Sequence, residues 1–215
     1  YATKYADLAT QSFHPVKNIT TGEGGAILTN NKSYYNDILL MRSHSIIRDK
    51  NLSKSYGRWH YKIDKIGYNF RLSDIQCALG ISQLKKIDLF LNRRREIAKI
   101  YNEAFTKKPI FITPETEKKV FHSYHLYPLL IDFKKKNISK KNFFEKMFNK
   151  KINLQVHYIP VHTQPFMRKY GFKVGKYPVA EKFFEMEVSL PIFYSLKEKD
   201  IKCVIRNIKT IIGVN

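Results

Sequence analysis

Strand-like and helix-like segments alternate along the 215 residues of this chain, and the alternation predicts an α/β fold. Two observations carry that prediction. Short runs with strand character, such as residues 26–29 and 123–131, are separated by longer segments whose apolar residues recur at helical spacing, among them residues 32–41, 140–149 and 197–212. The apolar fraction of 43% suits a globular chain long enough to bury a substantial core.

The first element is the most informative. Residues 12–30 read SFHPVKNITTGEGGAILTN: a strand end, a proline, a lysine, a glycine cluster and a second strand. Pro15 has a fixed φ and pushes His14 toward extended geometry, which restricts the approach of Lys17. Gly22, Gly24 and Gly25 permit positive φ and close backbone approach, as a tight strand-to-strand turn or a phosphate-contacting loop requires. An amine held in a desolvated pocket loses its proton and attacks carbonyls, so Lys17 is a candidate covalent catalyst. By spacing alone, a lysine near a glycine turn is more often simply solvated, and the stretch matches neither GxxxxGK[ST] nor GxGxxG.

After residues 26–29 comes the helical stretch 32–41, then Arg42, Ser43 and His44, readable either as a polar loop near a ligand or as basic residues closing a helix. Residues 49–65 are polar, aromatic and irregular, the composition of a long loop or lid. Next is GYNFRLSDIQCALGISQLKKID, residues 67–88. Ser73 or a near neighbour caps a helix with Ile75, Leu79, Leu84 and Ile87 on its apolar positions, continuing past Arg93–Arg95 toward Phe105. Asn69 by itself is a turn residue before that helix.

Residues 105–119 mark the passage to a second, smaller domain. There, residues 123–131 and 154–158 read as strands and 140–149 as an amphipathic helix, with a short helix near 166–170. Pro178 stands at a favoured first-turn position, residues 188–191 form a short strand, and residues 197–212 close the chain as a helix. Cys77 and Cys203 stand alone in helical patterns and are expected to be reduced, mostly buried thiols. His122 and His125 are followed by no carboxylate or Cys at ligand spacing, and His157 and His162 sit on an extended, proline-interrupted stretch, so no metal site is expected.

SFHPVKNITTGEGGAILTN closely resembles the cofactor-lysine segment of the DegT/DnrJ/EryC1/StrS sugar aminotransferases, and residues 67–88 resemble that family's G-x-N-x-R…A-A-L-G-x-x-Q-L segment, with Cys77 where alanine is usual. The resemblance implies a type I, aspartate aminotransferase-like fold dependent on pyridoxal 5'-phosphate (PLP). It implies that Lys17 carries the cofactor, that Ser12 contacts its phosphate, and that Asn69 reaches the phosphate of a partner subunit, making a homodimer part of the mechanism. Family members acting as dehydratases carry histidine at the lysine position, so Lys17 implies transamination. QVHYIPVHTQPFMRKYGF, residues 155–172, resembles the segment lining the sugar-nucleotide site, in the form found among aminotransferases of the pseudaminic acid pathway, which makes His157 and Tyr158 substrate-contact candidates together with His14.

By the same resemblance, residues 1–108 correspond to the C-terminal part of the large domain with its connecting helix, and residues 109–215 to the small α/β domain. The family's upstream half is expected to be missing, because residue 1 is not Met and the first residues run straight into a strand. The implied reaction transfers an amino group, with glutamate as donor, to C4 of a UDP-linked 4-keto-6-deoxy-N-acetylhexosamine. Alternatives are a perosamine or 4-amino-arabinose type of aminotransferase, and a non-catalytic remnant or basic binding protein.

The formal charge of +21, from 39 basic and 18 acidic residues, would ordinarily raise nucleic-acid binding. The basic residues are scattered, however, and the chain is equally rich in the Ile, Asn, Phe and Tyr that AT-rich codons favour, so no nucleic-acid partner is expected. An anionic nucleotide-linked substrate would also benefit from the field. With no apolar run of the ~18 residues a membrane span needs and no signal-like N-terminal segment, a cytoplasmic location is expected.

Overall fold

The computed structural model describes residues 2–214, the side chain of Leu52 excepted. It begins with a hairpin whose two short strands enclose a long loop. β1 (Ala9–Ser12) pairs antiparallel with β2 (Gly25–Leu28), in register from Ala9↔Leu28 to Ser12↔Gly25. The packing divides the chain into two units, one ending at Ile87 and one starting at Asp88.

In the first unit, β2 leads into α1 (Lys32–Arg42). Asn31 caps it, its carboxamide oxygen accepting from the Ser33 and Tyr34 N–H groups at 2.8 and 3.3 Å. Residues 49–65, expected to be irregular, instead contain α2 (Lys50–Tyr56) and β4 (Lys62–Ile63), the latter paired antiparallel with β3 (Ile46–Ile47). The helix start is set by Asp49, whose carboxylate accepts from the Asn51 N–H at 2.6 Å, a local cap with no apolar periodicity behind it. α3 (Asp74–Leu84) closes the unit.

The sequence reads as one helix from Ser73 to Phe105, but the structure has two, α3 and α4 (Ile87–Phe105). The Lys86 N–H reaches the Gln83 carbonyl three residues back at 3.0 Å, and this tightened turn ends α3. Cys77, expected to be buried, is exposed on α3, and Cys203 is half-buried. Ile75 on the same helix is 83% exposed.

All the buried hydrophobic residues among those described lie at Ile97 or beyond, in the second unit. α4 buries Arg94, Ile97, Ala98, Tyr101 and Phe105, one stripe at helical spacing. The stripe meets a three-stranded antiparallel sheet of order β5 (Phe111–Ile112), β6 (Tyr127–Ile131) and β7 (Glu187–Leu190). Tyr101 packs on Tyr127, and Phe105 edge-on to Phe111, with ring centroids 4.9 Å apart in both pairs. Phe143 and Met147 of α5 (Lys140–Asn149) join the core, as do Ile201, Val204, Ile208 and Ile212 of α8 (Glu198–Ile212). The short α6 (Pro165–Arg168) and α7 (Pro178–Met186) both begin with proline in the first turn. The apolar stripe of α4 places most of the long helix in the second unit. Among the described residues, no helix is long and apolar enough to cross a membrane.

Two details of the sheet bear on the site. Pro128 sits in the central strand without loss of a ladder bond: it is paired with Ser189, whose own N–H and carbonyl turn away to Gln155, and β5 does not extend far enough to need the missing donor. The expected strand over residues 154–158 is reduced to the single bridge Gln155↔Ser189. Its continuation fails because the His157 N–H is given to the Glu187 side chain, at 2.9 Å, rather than to a neighbouring strand.

Arg94 joins three segments of the second unit. Its Nη1 donates to the carbonyls of Tyr124, His125 and Ile192 at 3.1, 3.1 and 2.9 Å, with the residue only 6% exposed. Replacing it by methionine keeps the volume but strands those carbonyls, so Arg94→Met is expected to cost about 2–4 kcal/mol in urea unfolding. A loss below about 1 kcal/mol would show that water reaches the carbonyls and that the clamp is dispensable.

Candidate active site

The lysine lies in the hairpin loop, and backbone hydrogen bonds shape that loop at both ends. The ladder of β1 and β2 continues one step, the Phe13 N–H donating to the Gly24 carbonyl at 2.9 Å. The Phe13 carbonyl accepts from the Thr21 N–H at 3.0 Å and from the Thr20 hydroxyl at 2.9 Å. Residues 14–20 therefore bulge as a closed loop, and inside it the Lys17 N–H donates to the His14 carbonyl at 2.9 Å, a turn that lifts Lys17 out of the strand direction. The Lys17 side chain is half-buried. Next to it, the Asn18 side-chain oxygen is buried without a hydrogen-bond partner.

His14 braces the loop from outside. Its Nδ1 accepts from the Val16 N–H at 3.3 Å, so the ring proton sits on Nε2, which faces the Glu23 carboxylate at 3.8 Å. The Ser12 hydroxyl accepts from the His14 N–H at 3.4 Å on an exposed side chain, leaving its own proton to donate elsewhere.

The glycine turn is tied to the second motif. At Gly24, φ is +150°, and a Cβ would stand 2.5 Å from the Thr21 Oγ1 and 2.7 Å from a Leu72 methyl. Gln76 supplies the link: its Oε1 accepts from the Ser73 N–H at 2.9 Å as half of a capping box, while its Nε2 donates to the Glu23 carbonyl at 2.9 Å. The pattern Ser-x-x-Gln marks the box in the sequence, but nothing in the sequence signals that the same amide reaches the lysine hairpin.

Asn69 is held by its backbone and presents an exposed side chain. Ser43 bridges Asn69, the His44 N–H donates to the Tyr68 carbonyl at 2.8 Å, and the Phe70 N–H donates to the Arg42 carbonyl at 3.0 Å. Gly67 permits this approach, because a Cβ there would collide with the backbone of His44 and Ser45. The trio Arg42, Ser43 and His44 thus both ends α1 and anchors the segment carrying Asn69.

The other candidates lie in the second unit. His157 is half-buried, and Tyr158, 68% exposed, meets it edge-on at 4.6 Å between centroids. Tyr158 also lines an open apolar groove of ≈ 610 Å³ with Pro160, Tyr177, Pro178, Val179 and Phe183. One wall is braced by the buried His162, whose Nε2 lies 2.7 Å from Glu181 Oε1 and whose ring meets Tyr177 edge-on. Glu181 also accepts from the Gly175 N–H at 2.7 and 2.9 Å. The His162 hydrogen bond, aided by the Gly175 and Tyr177 N–H groups and opposed by desolvation, holds the Glu181 carboxyl below its ordinary range.

A lysine on a closed, glycine-turned loop within an α/β chain is an arrangement able to present one amine to a carbonyl compound. The chain belongs to the DegT/DnrJ/EryC1/StrS aminotransferase family, whose model matches residues 1–209. It is 40% identical, over 94% of its length and 51% of the relative's, to a Campylobacter jejuni UDP-4-amino-4,6-dideoxy-N-acetyl-beta-L-altrosamine transaminase. Among solved structures it is similar to Helicobacter pylori PseC, an aminotransferase involved in pseudaminic acid biosynthesis, with TM-score 0.87 and 32% identity over 97% of this chain and 54% of that one. It is also similar to a sugar aminotransferase of Streptococcus pneumoniae in its PLP form, with TM-score 0.85 and 26% identity over 99% of this chain and 53% of that one. The fold is that of these PLP-dependent enzymes, and the chain spans about half the length of the curated relatives it matches.

Two outcomes follow from the geometry. Gln76→Leu removes the capping amide and the Glu23 link together, and is expected to lower stability by about 1–2 kcal/mol in denaturant unfolding of the chain. Because the Glu181 carboxyl is depressed in the folded state, the stability it contributes is present above the ordinary carboxylate pKa of about 4.3 and is lost as pH falls below it. The pH-dependent decline in Tm below that point should accordingly be shallower in Glu181→Gln than in the parent chain, and equal slopes would remove Glu181 from the account.

Proposed function

We propose that the chain serves a PLP-dependent aminotransferase that moves an amino group from glutamate to C4 of a UDP-linked 4-keto-6-deoxy-N-acetylhexosamine, as a homodimer, in pseudaminic acid or related surface-glycan biosynthesis. The observation that carries this reading is Lys17 at the head of a loop closed by backbone hydrogen bonds. The likeness to a transaminase named for a UDP-linked 4-amino sugar supports the substrate class.

The residues present fit the cofactor. Lys17 offers the amine, Ser12 a hydroxyl with a free proton, and Asn69 an exposed amide, which is a donor set for a carbonyl and a phosphate. The Asn18 side-chain oxygen next to Lys17, buried without a hydrogen-bond partner, is an acceptor open to a donor. When bound, PLP supplies an electron sink that acidifies the C–H bond beside the transferred amine. Lys17 Nζ would hold the cofactor until the donor's amine displaces it; the freed amine would then take the proton from the donor's α-carbon and, in the return direction, deliver one to C4 of the sugar. Ser12 and Asn69 orient the phosphate, Asn69 from the partner subunit, while His157 and Tyr158 contact the nucleotide sugar. A substrate contact by His14 requires it to exchange Glu23, an exposed partner at 3.8 Å whose attraction is weak.

The test is chemical labelling. Chain incubated with PLP, reduced with borohydride, digested and analysed by mass spectrometry is expected to carry the pyridoxyl mass on the Lys17 peptide, and Lys17→Ala to carry none there. Labelling spread over other lysines, or absent, would mean that the chain does not hold the cofactor and is a remnant or binding protein. In the active enzyme, Lys17→Ala should cut amino transfer at least ~10²-fold, and preference for a GDP-linked over a UDP-linked keto sugar would move the assignment to the perosamine type.

A further inference from the structure

β7 has two different faces. Val188 and Leu190 point into the core, whereas Glu187 and Ser189, two residues apart on the opposite face, turn toward His157. Both are buried, Glu187 at 0% and Ser189 at 5% exposure. They make a short relay: the Ser189 hydroxyl donates to Glu187 Oε1 at 2.5 Å, the His157 N–H donates to Glu187 Oε2 at 2.9 Å, and the His157 Nδ1 lies 2.7 Å from Ser189 Oγ.

The chemistry of these groups decides who donates. The Ser189 hydroxyl donates to Glu187, so the serine proton is committed there. The serine oxygen is then the acceptor in its contact with the ring, and Nδ1 of His157 must carry the ring proton. A neutral imidazole protonated at Nδ1 has its lone pair on Nε2, and no hydrogen bond engages that atom among the described residues. The two oxygens of Glu187 are thus spent on Ser189 and on the His157 backbone.

We propose that Glu187 and Ser189 are positioning residues that hold His157 as its Nδ1–H tautomer, so that Nε2 is presented as a hydrogen-bond acceptor to a hydroxyl or N–H of the nucleotide sugar. The tautomer follows from the relay alone. The ligand rests on the reading of His157 as a substrate contact. The arrangement also accounts for the missing strand at residues 154–158: the side chain of β7 captures the N–H that a ladder would have used, and in doing so anchors His157 by backbone and ring together.

Long-range proton–nitrogen NMR of the ¹⁵N-histidine-labelled chain near neutral pH reads the tautomer directly. The parent chain is expected to show His157 protonated at Nδ1, Ser189→Ala to revert toward the Nε2–H form that free imidazoles favour, and Ser189→Thr to keep the parent signature by restoring the hydroxyl. An Nε2–H signal in the parent chain overturns the relay, and so does an unchanged signal in Ser189→Ala; the parent measurement decides even if a variant fails to fold. In the active enzyme, Ser189→Ala should raise KM for the nucleotide sugar about tenfold, the worth of one misdirected hydrogen bond, with KM for glutamate unchanged. An Nδ1–H tautomer combined with an unchanged sugar KM overturns the ligand half of the proposal. Failure of the Lys17 labelling, by contrast, would count against the enzyme reading and leave the NMR result standing.

Discussion

The carbonyl of Phe13 is the acceptor on which the first unit depends. By taking both the Thr21 N–H and the Thr20 hydroxyl, it closes residues 14–20 into a loop and directs Lys17 away from the strand. Two bonds to one oxygen make the neck of the loop costly to open, since either donor left behind would face a partly buried environment. The glycine turn that follows is compact because Gly24 lets Thr21 and Leu72 approach, and Gln76 then fastens that turn to the start of α3. The catalytic role proposed for Lys17 requires this kind of restraint: its rate advantage depends on holding one amine in one place, and a freely moving loop would forfeit it.

The second unit achieves its rigidity by other means. A helix stripe and a three-stranded sheet bury a continuous apolar core, and Arg94 joins the segments around Tyr124 and Ile192 through their carbonyls. β7 uses the strand period of two to separate duties, one face giving Val188 and Leu190 to the core and the other giving Glu187 and Ser189 to polar work. A buried carboxylate with no partner would be a serious cost; here both oxygens are satisfied, and the group becomes an organiser of His157.

Much of this was legible from residues alone, for identifiable reasons. The hairpin around Lys17, the Ser73 cap, the helix over residues 140–149 and the proline start at Pro178 are local features, each set by a cap, a turn or a short-range period. The misreadings have separate physical causes. The helix at 50–56 has no apolar period and rests on one side-chain cap, and the break at Lys85–Lys86 interrupts a pattern that looks continuous. Residues 154–158 have strand composition, but a side chain from a distant strand takes the N–H that pairing needs. Cys77 looked buried because its helix is apolar, whereas α3 leaves Ile75 and Cys77 exposed.

The sequence by itself determined the chemistry available: a lysine between a strand end and a glycine turn, the Asn69 and His157–Tyr158 motifs, the alternating elements and, through their resemblance, the family. These are properties of residue identity and short-range spacing, which a linear chain displays in full. Only the tertiary structure decided how those residues are held. Gln76 reaches Glu23 across 53 positions, Arg94 reaches Ile192 across 98, and Ser189 reaches His157 across 32. Such bonds depend on where the backbone brings two donors and acceptors together, and no local pattern encodes that meeting.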